Sequence, residues 1–166
     1  MRSLIALGVV LTVTIVGLVA LALFLGSLSS DAQTSESVER EPLTIVTLEG
    51  DIVRLEIEVA ETPEERSTGL SGREEVPEDT GMLFINPNSN TGFWMKDTQV
   101  PLSVAFLARC GEIVDIQHME PLSLDVHNTD QDYEFGLEVP QGWFEDNGVE
   151  AGDLVSIPRD YRPDGC

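Results

Sequence analysis

Few residues in this chain have the types and spacing to do chemistry. The stretch F-W-M-K-D-T, Phe93 to Thr98, holds one of the two tryptophans and, at Lys96, the only lysine. A partly buried lysine can have a lowered pKa and act as a base, so Lys96 with Asp97 and Thr98 could serve a hydrolase or transferase. Without catalysis, Trp94 could stack on a sugar while Lys96, Arg66 and Arg73 supply charge-assisted hydrogen bonds, which would hold a carbohydrate or an anionic ligand. The plainer expectation for Lys96 is an ion pair with one of the many acids, or a cap on backbone carbonyls at a strand end. For Arg73 it is pairing with those same carboxylates.

His118 and His127 lie with Glu120 and Asp125 in H-M-E-P-L-S-L-D-V-H-N. Imidazole and carboxylate suit zinc, copper or nickel, but the spacing matches no closed metal motif, so solvated loop histidines are expected and no cofactor is implied. The two cysteines, Cys110 in the turn R-C-G-E and Cys166, would form a disulfide in an oxidising compartment; two free thiols or an intermolecular bridge are the alternatives. No G-x-S-x-G elbow, phosphate loop, H-E-x-x-H or EF-hand loop occurs, and Ser71, Ser103 and Ser123 have no adjacent motif marking a nucleophile. Whether the chain is an enzyme is therefore not written in a motif.

The elements that must position these residues are mostly strands. In I-V-R-L-E-I-E-V, Val53, Leu55, Ile57 and Val59 alternate with Arg54, Glu56 and Glu58, the period of a half-buried strand. With 43–48 and the Gly50-Asp51 turn it predicts a hairpin. Thr62 as N-cap, Pro63 in the first helical position and Glu65 three residues after the cap make a capping box, and Gly69 or Gly72 would stop that helix early. Short apolar runs at 81–85, 93–95, 102–108, 113–119, 133–139 and 153–158 are separated by Gly, Asn, Pro and Asp turns. Eight short strands with one helix predict an all-β domain, mainly an antiparallel sandwich or barrel.

The frame around that domain is set by hydropathy and charge. Leu4 to Leu28 is nearly unbroken Leu, Val, Ile, Ala and Gly. At roughly 1.5 Å per residue it would cross a bilayer core of about 30 Å. Arg2 before it and acids after it predict a single-pass anchor at 1–28 with its N-terminus in the cytoplasm. Secretion after cleavage near Ser30-Asp31-Ala32 is the alternative. The polar run 29–41 reads as an acidic flexible tether, leaving 42–166 as one soluble domain outside the cytoplasm.

The whole chain has a formal charge of -21, and 42–166 has -19. Such self-repulsion strains a small domain in dilute buffer, but at about 1 M salt the Debye length falls to roughly 3 Å and the strain fades. High acidity with one lysine therefore points to a protein adapted to molar salt. It also argues against nucleic acid as a partner, because no basic patch exists to displace counterions.

Several motifs in one order, E-R-S-T-G-L-S-G-R (65–73), G-M-L-F (81–84), F-W-M-K-D-T (93–98), V-P-L-S-V-A-F (100–106), G-E-I-V-D-I (111–116) and L-E-V-P-Q-G (137–142), make the chain resemble domain of unknown function 192. That resemblance covers 44–158 and implies a small all-β domain of sandwich or jelly-roll type with a short helix, often exported or membrane-anchored. Its characteristic positions fall on Arg66, Gly69, Leu70, Arg73, Gly81, Met82, Phe84, Trp94, Met95, Thr98, Pro101, Leu102 and Gly142. Ser71 and Ser103 depart from it, standing where the family commonly has methionine and aspartate. The family implies no reaction. The combined expectation is a membrane-tethered module that binds a carbohydrate, an anionic ligand or an envelope protein, with an envelope hydrolase or transferase as the alternative.

Overall fold

The computed structural model describes residues 38–85 and 92–166. The anchor expected at 4–28, and most of the tether, lie outside the described residues; among those described, no helix is long and apolar enough to cross a membrane. The elements are β1 (Glu41–Val46), β2 (Ile52–Ala60), α1 (Pro63–Thr68), β3 (Thr80–Ile85), β4 (Leu102–Leu107), β5 (Ile113–Met119), β6 (Phe135–Pro140), α2 (Trp143–Asp146) and β7 (Leu154–Val155).

The seven strands form one sheet in the order β5-β4-β6-β3-β2-β1-β7, curled into a half-barrel. The mostly-β class is as expected; the two-sheet jelly-roll sandwich is not, and the sheet is mixed. β1 and β2 make the predicted antiparallel hairpin, but β2 pairs with β3 in parallel. A parallel pair needs a crossover rather than a turn, and residues 61–79, containing α1, supply it. The run at 93–95 contributes one bridge, Phe93 with His127, rather than a strand, and 153–158 shortens to two paired residues. The second helix, α2, was not expected. Its four residues are too few to show a helical period.

The half-barrel is bridged along its open side. β7 pairs with β1 through Ile45 and Val155, and its other flank meets the start of β5. There Ile113 N–H donates to the Asp153 carbonyl (2.9 Å), Gly152 N–H to that of Ile113 (2.8 Å) and Val155 N–H to that of Gly111 (2.8 Å). Gly111 has φ +93°, and a Cβ there would lie 2.1 Å from the Val155 carbonyl oxygen, so both backbone conformation and strand approach require glycine. The buried Asp153 carboxylate accepts from the Leu48 and Glu150 N–H groups, both at 2.8 Å. Beside this seam, Cys110 and Cys166 are joined by a disulfide with a Cα–Cα distance of 5.4 Å.

Two apolar clusters lie on the sheet's opposite faces. Leu43, Ile45, Leu55, Ile57, Leu83, Leu137 and others form the first, to which α2 adds Trp143 and Phe144. On the second face Met82, Phe84, Leu102, Val104 and Phe106 come from β3 and β4, covered by Leu70, Phe93, Met95 and Tyr133 from loops. Between β3 and β4 runs β6, which gives this second face no large apolar side chain. Gly136 sits there under the Phe93 ring, where a Cβ would meet Phe93 Cζ at 2.3 Å, and the next residue on that face is Glu138.

Candidate functional site

α1 begins as its sequence dictates. Thr62 Oγ1 accepts from Glu65 N–H (3.2 Å), while Glu65 Oε2 accepts from the Thr62 (2.8 Å) and Glu61 (2.9 Å) N–H groups. Gly69, at φ +50°, ends the helix over the Phe84 ring. Arg66 turns back under it, its Nη1 donating to the carbonyls of Glu61 and of Ile85, the latter at 3.3 Å. The crossover is thereby fastened to the end of β3, and the guanidinium faces the second side of the sheet.

Opposite α1 runs the 92–98 segment. Phe93 and His127 exchange backbone hydrogen bonds at 2.8 and 2.7 Å, Met95 N–H donates to the Ser123 carbonyl (3.2 Å), and Leu122 N–H donates to that of Thr98 (2.9 Å). An edge-to-face chain of rings, Phe84 to Phe93 to Phe106 to Tyr133, with centroids 5.0–5.7 Å apart, anchors it below. Phe93 and Met95 point inward, so Trp94 and Lys96 point outward on one side. The alternation predicted for a strand thus survives without the strand pairing. The Lys96 ammonium lies over the Trp94 ring, 5.5 Å from its centroid, a cation–π contact. Among the described residues it forms neither the expected ion pair nor a hydrogen bond to a carbonyl.

Between these walls is a groove of about 630 Å³ lined by Arg66, Trp94, Lys96, Thr98 and, on its floor, Glu138. The Glu138 residue is 5% exposed, yet no described residue offers its carboxyl a hydrogen bond or an opposite charge. Burial alone pushes its pKa up to about 8, so it is an acid holding its proton at pH 7.

Glu58, two strands away on the same face, shows the usual alternative. The register sets Glu58, Met82, Glu138 and Val104 in one row across β2, β3, β6 and β4. Arg73 grips Glu58 with two hydrogen bonds, at 2.7 and 2.5 Å, and Arg40 adds a third at 3.4 Å. Burial would raise the Glu58 pKa, but Arg73 and then Arg40 hold it below the usual carboxylate range. Two glutamates in one row therefore have opposite fates: one is neutralised by arginines, the other is left bare beneath a groove.

The expected site residues divide accordingly. Arg66, Trp94, Lys96 and Thr98 share the groove; Arg73 is occupied by Glu58; and Asp97, at φ +59°, is exposed and contributes its carbonyl to Gly72 N–H at 2.8 Å. Cys110 and Cys166 belong to the barrel seam. Glu138 was not anticipated. In F-G-L-E-V it looks like the solvent half of an alternating strand, as Glu56 is, and only the loops folded over β6 bury it.

His118 joins a different set. Its Nδ1 meets Ser103 Oγ at 2.9 Å and its Nε2 meets Glu145 Oε1 at 3.0 Å. Hydroxyl, imidazole and carboxylate in that order suit a nucleophile, but Ser103 is fully buried on the sheet face away from the groove, where no substrate carbonyl can reach it. His127 Nδ1 lies 3.2 Å from Gln117 Oε1. Among the described residues no three His, Cys, Asp or Glu side chains gather as metal ligands.

Residues 44–157 match the family model described as Uncharacterized ACR. A crystal structure from Sinorhizobium meliloti, of a protein described as a candidate transcription regulator, is 31% identical with a TM-score of 0.66, covering 72% of this chain and 95% of that one. A protein of unknown function from Novosphingobium aromaticivorans shares the fold at 24% identity and a TM-score of 0.65, covering 74% and 89%. No curated protein matches the chain.

Proposed function

The chain belongs to the DUF192 family, whose model spans 44–157, and from that premise we propose that it is a ligand-binding module of the cell envelope. In this proposal residues 4–28 anchor it, the N-terminus is cytoplasmic, the β-domain lies outside and is adapted to high salt, and the groove between α1 and the 92–98 segment takes a carbohydrate or an anionic ligand. One observation carries this: Glu138, whose carboxyl opens onto the groove and has no hydrogen-bond partner among the described residues, forms the floor of a groove whose rim bears the only lysine. Leaving such a group bare destabilises the fold, and a protein retains it where a ligand completes it.

Binding is favoured over hydrolysis because, among the described residues, the groove brings Glu138 no second carboxylate. Glu58, beyond Met82 in its row, is held by arginines, whereas cleaving a glycosidic bond takes a pair of carboxylates. If Lys96, Asp97 and Thr98 acted in an envelope hydrolase or transferase, Lys96 would need a hydroxyl in reach, and it faces the Trp94 ring instead. The regulator description of the S. meliloti relative is not carried over, since a domain with 7 bases against 26 acids offers no basic patch to displace counterions from phosphates.

Full-length protein in detergent micelles at multimolar KCl, titrated with a panel of neutral and acidic sugars and simple organic anions, should bind at least one. Trp94→Ala and Lys96→Ala should each weaken that binding by about fivefold, in line with a contact worth roughly 1 kcal/mol. Unchanged affinity in both variants, with folding intact, would remove the groove from the function. For the salt adaptation, the thermal midpoint should rise from low to multimolar KCl; a domain more stable at low salt contradicts it.

A further inference from the structure

Within that ligand-binding reading, we propose that the groove is a site for acidic sugars: a hexuronate, alone or within a chain, with its carboxylate at Arg66 and Lys96 and a ring hydroxyl against the Glu138 carboxyl. The charge of the lining is the first argument. In a domain of formal charge -19, the ionisable residues among the described lining of the groove are Arg66, Lys96 and Glu138, with no exposed carboxylate among them. Among the described residues Lys96 has no acid within ion-pair distance, and Arg66 uses one nitrogen on backbone carbonyls, leaving Nε and Nη2 without a described partner. The charged side chains on the described walls of the groove are thus cations, and an anion in contact with them is the charge they complement.

The walls narrow the class of anion. Ser67, Thr68, Ser71 and Thr98 line them with hydroxyls. Ser71 Oγ donates to the Thr68 carbonyl (2.5 Å) and Thr98 Oγ1 to that of Lys96 (3.4 Å), so both oxygens keep lone pairs for hydroxyl donors on a ligand. Trp94, half exposed, offers an aromatic surface for the C–H face of a pyranose. Glu138 completes the set as a neutral acid, which both donates and accepts and so matches a hydroxyl. Met82 and Val104 flank it in the sheet, Arg66 and Lys96 face it from α1 and the 92–98 segment, and the nearest carboxylate in its row, Glu58, is neutralised. A bare fatty acid would leave the hydroxyls idle, and a neutral sugar would leave both cations idle.

The test titrates the full chain, in micelles at multimolar KCl, with D-galacturonate, trigalacturonate, D-galactose and acetate, read by calorimetry and by tryptophan fluorescence. Galacturonate or its trimer should bind at least tenfold more tightly than galactose or acetate. Lys96→Ala and Arg66→Gln should each erase most of that preference. Affinity should fall above about pH 8 as Glu138 ionises, and Glu138→Gln, whatever its affinity at pH 7, should show no such fall. Equal affinity for galactose and galacturonate would overturn the acidic-sugar assignment and leave the binding module standing; equal affinity for acetate would reduce the site to a plain anion site. If none of these sugars or anions bound, the assignment would fail together with the module.

Discussion

Replacing Glu138 by glutamine should make the domain more stable, not less, by roughly 3 kcal/mol at pH 7. The folded-state pKa of about 8 stands above the ordinary 4.5, so the folded protein holds a proton that the unfolded chain has released. Below pH 4.5 both states are protonated and the carboxyl costs nothing extra. From 4.5 to 8 the unfolded chain ionises while the folded one does not, and stability falls steadily as pH rises. Above 8 the full penalty of about 5 kcal/mol is in place. Glutamine keeps the size and hydrogen-bonding capacity but does not titrate. The difference in unfolding free energy between variant and wild type should therefore be near zero at pH 4.5 and grow to a plateau above 8. Denaturant unfolding across that range measures it; a variant that is less stable at pH 7, or a difference that does not change with pH, would mean that Glu138 is partnered in the folded protein. Stability gained by removing a group at a groove floor is a sign that the group is kept for another reason.

Removing the disulfide should cost about 4 kcal/mol, from the loop entropy released across a separation of 56 residues. For a domain of this size that is a fall of roughly 10–20 °C in thermal midpoint. Cys110→Ser with Cys166→Ser, or reduction of the wild type, should also loosen the molecule unevenly. The tail is otherwise held by Tyr161, which packs on the first apolar cluster, and by hydrogen bonds from Arg109 Nη2 to the Asp164 carbonyl (3.2 Å) and from Arg162 to the Ile157 carbonyl (3.1 Å). Amide exchange should accelerate first at 152–157 and in the tail, and least in β3, β4 and β6, which lie at the middle of the sheet. An unchanged midpoint would show that the paired strands hold the seam without the bridge.

Much of the architecture was legible because local physics and tertiary environment agree there. The β1–β2 hairpin, the capped helix at Thr62 and the strands at 80–85, 102–107 and 113–119 follow from alternation, turn residues and caps. What could not be read was topology. Nothing in a crossover of 19 residues says that β3 will pair with β2 in parallel, and a two-residue strand such as β7 has no period. In the groove, Trp94 and Lys96 stood out by composition alone. Glu138 did not, because the segments that share its groove, with Leu70 and Phe93, are distant from it in sequence. Arg73 was visible as a cation, while its capture by Glu58 depends on a register between strands.

The pairing of Ile45 with Val155 also bears on the order of events in folding. β1 is among the first segments of the described domain to be synthesised, yet its outer edge has no partner until β7 arrives some hundred residues later. Contacts of such sequence separation must close a long loop before they stabilise anything, which places the last strand late and folding on the slow side for this size. During translation the hairpin must wait with an open edge, and Pro42 within β1, which has no N–H to donate, makes that edge a poorer template for stray strands.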